Sequence, residues 1–177
     1  MTVKLLISQL KDGENLFSFS SEKDAWVNAL SQHFSKEVSP LEGPLNANIS
    51  LTKLEPDYYL KGQLEFRTRR TCSRCAEAFS LPVTHPFDLA MVHGSAPDAP
   101  KFETESEGDV FRFKGPEIDI APLLQEQAVL SLPFAPLCKP DCRGICQECG
   151  RNLNQSDCGC KKPPALNPFS VLKNLIH

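Results

Sequence analysis

A chain of 177 residues with 41% hydrophobic and 23% charged side chains has the composition of an ordinary globular protein, long enough to bury a core without cross-links to rescue it. Its formal net charge of −3 argues against indiscriminate nucleic-acid binding. Neither the apolar run of about 7 to 15 residues of a secretory signal nor the roughly 20 of a membrane span occurs, since Ser8 and Gln9 interrupt the opening apolar residues, and a cytoplasmic protein is predicted.

Val3 to Gln9 reads as a first strand. Ser20-Ser21 offers an N-cap before Glu22-Lys23-Asp24, and Trp26, Ala29, Leu30 and Phe34 follow at helical spacing. The pattern predicts an amphipathic helix over 22–34 with Trp26 as a core anchor. Asn48 to Leu54 alternates as a strand, and Glu55-Pro56-Asp57 is turn chemistry.

The clearest period follows. Leu60, Gly62, Leu64, Phe66 and Thr68 alternate with Lys61, Gln63, Glu65, Arg67 and Arg69, which places the first set on a core and the second in solvent. After Cys72-Ser73-Arg74-Cys75 the alternation resumes with Phe79, Leu81, Val83, Phe87, Leu89 and Met91 on one phase. Two long antiparallel strands joined at a tip that carries a cysteine pair are expected.

Residues 93–109 hold Asp98, Glu103, Glu105, Glu107 and Asp109 against Lys101, a net of 1 − 5 = −4, which leaves +1 for the remainder of the chain. Such composition predicts a flexible acidic loop. Order is expected to return at Val110, Phe111 and Phe113. Asp119 then caps a helix with Ile120, Leu123, Leu124 and Leu130 on one face, ended by Pro133. A tail helix is predicted from Asn167 as N-cap and Pro168 at the first position, with Val171, Leu172, Leu175 and Ile176 as its apolar side.

Eight cysteines stand at Cys72-x2-Cys75 and Cys138-x3-Cys142-x3-Cys146-x2-Cys149-x8-Cys158-x-Cys160. In a reducing cytosol such patterns bind metal more often than they form disulfides. Zinc takes four soft ligands at tetrahedral corners, and a C-x2-C turn presents two sulfurs from one side. The preferred division gives Cys146, Cys149, Cys158 and Cys160 one site. The other joins Cys72 and Cys75 to Cys138 and Cys142. The alternative puts Cys138, Cys142, Cys146 and Cys149 on one metal, crowding four ligands into twelve residues. Cys72 and Cys75 also admit two further readings, as buried free thiols or as a thioredoxin-like redox pair. Redox pairs precede a helix in a βαβ unit, whereas the flanks here alternate as strands.

Arg67, Arg69, Arg70 and Arg74 surround the first pair, and Lys139, Arg143, Arg151, Lys161 and Lys162 surround the cluster. They either offset thiolate charge or form a phosphate-binding surface, and composition leaves both open. No metalloprotease, phosphate-loop, nucleophile-elbow or dinucleotide motif occurs. None of His33, His85, His93 and His177 is assigned as a ligand or base, and no enzyme is expected.

Together these motifs resemble the YceD family, described as large ribosomal RNA subunit accumulation proteins. The resemblance rests on Cys72-Ser73-Arg74-Cys75 with Phe79, on Glu117-Ile118-Asp119-Ile120, and on Leu130-Ser131-Leu132-Pro133. It extends through Cys142-Arg143-Gly144-Ile145-Cys146-Gln147-Glu148-Cys149-Gly150-Arg151-Asn152-Leu153-Asn154 to Asn167-Pro168-Phe169, covering most of 45–177. It implies a factor for synthesis, processing or accumulation of 23S ribosomal RNA, acting on RNA or a large-subunit assembly intermediate. It favours phosphate binding by Arg67, Arg69, Arg70 and Arg74. A protein-interaction adaptor that meets a ribosomal protein through the acidic loop, and a thiol oxidoreductase, are the rival functions. The expected fold is α+β: a mostly antiparallel β-sheet with a few short helices and a zinc-stabilised C-terminal segment. Residues 1–92 and 110–177 are expected to form one composite domain around the loop 93–109, with one or two structural Zn2+ ions and neither membrane nor small-molecule partners.

Overall fold

The computed structural model describes residues 4–94 and 110–160. In chain order the elements are β1 (Lys4–Leu6), a 3-10 turn (Ile7–Gln9), β2 (Gly13–Ser20), α1 (Ala25–Glu37), β3 (Asn46–Leu54) and β4 (Asp57–Thr71). Then come β5 (Ala78–His93), β6 (Val110–Phe113), β7 (Glu117–Asp119) and α2 (Ala121–Leu130). Strands β2-β3-β4-β5-β6 form one sheet, antiparallel except for the parallel β5–β6 pair. A second, two-stranded sheet pairs β1 with β7. The α+β architecture read from the sequence is the one observed.

The period-two run becomes the β4–β5 hairpin, paired without interruption from Asp57↔Val92 to Thr71↔Ala78. Leu60, Leu64, Phe66 and Thr68 are buried on one face of β4, while Lys61, Glu65, Arg67 and Arg69 are exposed on the other. Val83, Phe87 and Met91 continue the covered face on β5. Both helices lie on that face: Val27, Leu30 and Phe34 from α1, with Leu123, Leu124 and Ala128 from α2, join the same core. The Phe34 ring meets Phe66 edge-on at 5.5 Å. Trp26 is half-buried and anchors the core margin, its ring edge-on to Phe19 at 4.9 Å. The opposite sheet face carries no helix among the described residues. It presents Glu14, Asn48, Lys61, Glu65, Arg67 and Arg69 to solvent.

Several expectations need correction. The first strand covers Lys4–Leu6 and ends in the 3-10 turn, because its partner β7 offers three residues to pair. Strand β2 was not anticipated. Asn15 faces the sheet interior while Leu16 stands 74% exposed on the open face, so polarity does not alternate along it. Helix α1 starts at Ala25 after Asp24, not at Ser20-Ser21. The Ser21 hydroxyl instead accepts the backbone N–H of Leu45 (3.0 Å), and the Asp24 carboxylate accepts that of Ser20 (2.8 Å). On α2 the buried face is Leu123, Leu124, Gln127 and Ala128, whereas Leu130 is 62% exposed. His93 closes β5 rather than opening a loop, and its ring nitrogen lies 2.9 Å from the Gly115 carbonyl. Residues 95–109 and 161–177, with the predicted acidic loop and tail helix, lie outside the described residues. No described helix is long and apolar enough to cross a membrane.

Gly62 is the tight point of the sheet. A Cβ there would stand 2.5 Å from Phe87 Cζ, 2.9 Å from the Asn48 carbonyl oxygen and 2.9 Å from Ile49 Cγ2. The backbone oxygen cannot swing aside as a side chain can. Gly62→Ala is therefore expected to lower urea stability by about 1–3 kcal/mol. Adding Phe87→Leu should recover part of that loss, and a Gly62→Ala midpoint equal to wild type would contradict the packing.

Candidate metal centres

At the hairpin tip the chain leaves β4 at Thr71 and re-enters β5 at Ala78, with Cys72-Ser73-Arg74-Cys75 between. The turn closes through Ala76 N–H donating to the Cys72 carbonyl (2.9 Å) and Cys72 N–H donating to the Glu77 carbonyl (2.9 Å). Ala76 sits at φ 59°, the left-handed conformation such a turn requires. The second C-x2-C repeats this construction. Gly150 N–H donates to the Cys146 carbonyl (2.9 Å), and Gly150, at φ 71°, fills the position Ala76 holds in the first.

The eight thiols gather in two sets of four: Cys72, Cys75, Cys138 and Cys142, and Cys146, Cys149, Cys158 and Cys160. Within each set the sulfurs all lie within 4.8 Å of one another. This is the preferred four-and-four division. The alternative grouping of Cys138 and Cys142 with Cys146 and Cys149 is not formed. Cys72 Sγ and Cys142 Sγ are 3.7 Å apart, as are Cys75 Sγ and Cys138 Sγ. A tetrahedron with metal–sulfur bonds of about 2.3 Å has edges of about 3.8 Å, so the spacing fits a metal. It is far beyond the roughly 2.05 Å of a disulfide, and all eight cysteines are free. The first set joins the hairpin tip to a segment more than sixty residues downstream and is the more buried: Cys72, Cys75 and Cys142 are buried beside Phe79 and Leu137, with Cys138 half-buried. The second is open, with Cys149 and Cys160 exposed.

Electrostatics within each set favour a cation. Burial works to raise the Cys72 thiol, but the backbone N–H groups of Cys138, Cys75 and Arg74 outweigh it and bring it down to about 6. Burial, then the Cys142, Cys72 and Cys75 thiols, push Cys138 up to about 12. In the second set the N–H groups of Cys149 and Glu148 bring Cys146 down to about 7. Its neighbours Cys149 and Cys158, followed by burial, push Cys160 up to about 12. One thiol in each set ionises readily and another resists. Four thiolates coexist there when a positive ion stands among them. Both sets can hold a thiophilic divalent ion.

The four arginines assigned to phosphate do not share one face. Arg67 and Arg69 lie on the open sheet face, where Arg69 Nη1 pairs with Glu42 at 2.9 Å. The Ser80 hydroxyl and the Arg69 guanidinium hold the Glu42 carboxyl below its ordinary range. Arg70 falls on the helix-bearing phase of β4, half-buried, with Nη1 3.5 Å from Ser39 Oγ. Arg74 donates to the Cys142 carbonyl (3.1 Å), fastening the tip to the downstream ligand segment. Lys61 pairs with Asp88 at 3.1 Å, Lys139 with Asp141 at 3.8 Å, and Arg143 with Asp157. His85 is committed to the core, its Nε2 3.1 Å from Gln127 Oε1.

Residues without a role in the cysteine spacing complete the centres. Asn154 Nδ2 donates to Cys142 Sγ (3.3 Å). Glu77 accepts from Asn152 Nδ2 (3.2 Å) and Gln155 Nε2 (3.3 Å). Gly144, at φ 75°, brings the two turns together, since a Cβ there would stand 3.1 Å from the Arg74 carbonyl oxygen. The asparagines stood inside the cysteine motif that carries the family resemblance, yet nothing in their spacing distinguishes an outer-shell donor from a loop residue.

A family model described as large ribosomal RNA subunit accumulation protein YceD matches residues 60–176. An uncharacterized protein of Mycobacterium tuberculosis is 30% identical over 107 residues, which span 60% of this chain and 50% of that protein. The chloroplastic large ribosomal RNA subunit accumulation protein YCED homolog 1 of Zea mays is 24% identical over 158 residues, 75% of this chain and 54% of that protein. The chain thus spans about half the length of these relatives. No solved structure matches.

Metal analysis of the freshly purified protein is expected to find two divalent ions per chain, one for each four-cysteine set, and one in a Cys146→Ser/Cys149→Ser variant. Retention of both ions in that variant would reject the four-and-four division. Read by mass spectrometry, timed alkylation of the metal-loaded protein, where access to the sulfurs sets the rate, should modify the exposed Cys149 and Cys160 before the buried Cys72, Cys75 and Cys142.

Proposed function

Because this chain belongs to the family of large ribosomal RNA subunit accumulation proteins, we propose that it is a non-catalytic factor supporting synthesis, processing or accumulation of 23S ribosomal RNA. Zinc is the metal proposed for both centres. Closed all-thiolate tetrahedral sites suit zinc and stabilise folds rather than react, and the cysteine spacings are not those of ferredoxin clusters.

Direct contact with RNA is proposed through the open face of the sheet. The observation that supports it is the position of Arg67 and Arg69: both are exposed on the one sheet face without a helix among the described residues, at the end of β4 held by the first cysteine set. A guanidinium fixed on a rigid strand can meet phosphate oxygens without a large ordering cost. Arg70, on the other face, and Arg74, engaged with the Cys142 carbonyl, are better placed to support the tip than to reach a backbone.

A second reading is favoured by the pairing of these cations. Arg69 and Lys61 each already meet a carboxylate on the open face. Four thiolates on a divalent ion add a net of about −2 to each centre. A surface of matched charges suits a ribosomal protein in an assembly intermediate, with RNA contact indirect. Recovery of partners after nuclease treatment separates the two: an RNA-binding factor loses its partners, an adaptor keeps them.

Arg67→Glu/Arg69→Glu is expected to weaken binding to a 23S ribosomal RNA fragment at least tenfold near 0.1 M salt. The slope of log affinity against log salt should fall by about two, one for each phosphate contact removed. Arg70→Glu should leave affinity within about twofold. Binding independent of salt, or equal loss in both variants, would reject contact through this face.

A further inference from the structure

The two cysteine sets share more than a stretch of chain. The loop between Cys149 and Cys158 crosses back over the first set. Asn154, from the middle of that loop, donates Nδ2–H to Cys142 Sγ (3.3 Å) and to Asn152 Oδ1 (2.9 Å). Its Oδ1 accepts the backbone N–H of Arg143 (2.8 Å), the residue after that ligand. Leu153 N–H donates to the Gly144 carbonyl (2.9 Å), which fixes the loop against the segment between Cys142 and Cys146.

This loop has little regular structure of its own and is held from outside, by Leu153 on the Gly144 carbonyl, by Asn152 and Gln155 on Glu77, and by the Arg143–Asp157 ion pair. Residues 150–160 contain no helix or strand beyond an isolated bridge between Ile145 and Asn152. Its ends are Cys149 and Cys158, two members of the second set. An ion bound by the four sulfurs pins both ends to one point. The second centre therefore adds to these contacts in holding Asn154 against Cys142.

We propose that Asn154 couples the two centres: metal held by Cys146, Cys149, Cys158 and Cys160 orders the loop, and the ordered loop delivers an amide donor to a ligand of the buried centre, tightening its hold on metal. By linkage, metal in the buried centre strengthens binding at the exposed one by the same factor. The inference rests on the reading that both centres bind metal. It goes beyond that reading in making the exposed centre a control on the buried one. An N–H···S bond to a ligand lowers the energy of the thiolate and fixes its direction, and loss of such outer-shell partners typically costs ten- to a hundredfold in metal affinity.

The test is chelator competition on the full chain loaded with Zn2+, release being followed with a chromophoric chelator. Cys149→Ser/Cys160→Ser leaves the buried centre alone and so identifies its release phase. In that background the buried centre should release metal about tenfold faster than in wild type. Asn154→Ala should reproduce the acceleration while two equivalents still bind. Asn154→Asp, which keeps the acceptor for Arg143 N–H but replaces the donor with a charge beside sulfur, should release faster still. Combining Asn154→Ala with Cys149→Ser/Cys160→Ser should add less than twofold, because the donor is already lost. Co2+-loaded Asn154→Ala should show a shifted sulfur-to-cobalt charge-transfer band, a signature that loop loosening elsewhere would not move. Wild-type release rates in Asn154→Ala, or equal acceleration in both backgrounds, would overturn the coupling. A wild-type chain that binds no metal defeats the underlying reading instead, and shows itself before any variant is compared.

Discussion

Everything near the hairpin tip depends on the mutual repulsion of four sulfurs packed within 4.8 Å of one another. Without a cation, backbone N–H groups favour the thiolate of Cys72 and of Cys146, while Cys138 and Cys160 hold their protons. With one, the same repulsion becomes four attractions that fix the irregular chain around the sulfurs. In the first set these attractions span 70 residues between Cys72 and Cys142, and 63 between Cys75 and Cys138. Closing a flexible loop of that length costs about 4 kcal/mol in chain entropy. That is why the closure falls to a cluster of ligands and not to a few surface contacts.

The sequence made the hairpin legible because β4 and β5 bury one face and expose the other, so each side chain reports its side of the sheet. The same logic failed for β2. That edge strand packs Asn15 inward and leaves Leu16 in solvent, and a strand half covered by the core need not alternate in polarity. Leu130 misled for a related reason: helical phase places it with Leu123 and Leu124, but the last buried residue of α2 is Ala128, two positions earlier. The cysteine division was legible from spacing alone, since a C-x2-C turn donates its sulfurs as a pair. The outer shell was not. Asn152 and Gln155 lie 75 and 78 positions from the Glu77 carboxylate they both reach, and Asn154 between them turns to Cys142.

Parity along β4 also governs which cations face a partner. Arg67 and Arg69 share a phase with Lys61, and Arg70, one residue further on, is turned to the helix-bearing side. The three arginines of Arg67-Thr68-Arg69-Arg70 thus contribute two to the open face and one to the helix-bearing face. A sequence count of positive charge near the cysteines overstates the surface available to phosphate, because Arg74 and Arg143 are also held in contacts that shape the centres.

The two centres differ in a way that burial alone explains. Cys149 and Cys160 of the second set are exposed, whereas Cys72, Cys75 and Cys142 of the first are buried and Cys138 is half-buried. Ligand exchange, protonation and oxidation all begin with access to sulfur, so the exposed centre must respond to the surroundings first. The buried centre holds the end of the strand on which Arg67 and Arg69 stand, and its outer shell is furnished by the loop of the exposed one. A change that starts at the accessible sulfurs therefore has a continuous physical route to the open sheet face: from Cys149 and Cys158 to the loop, through Asn154 to Cys142, and from the first set into β4.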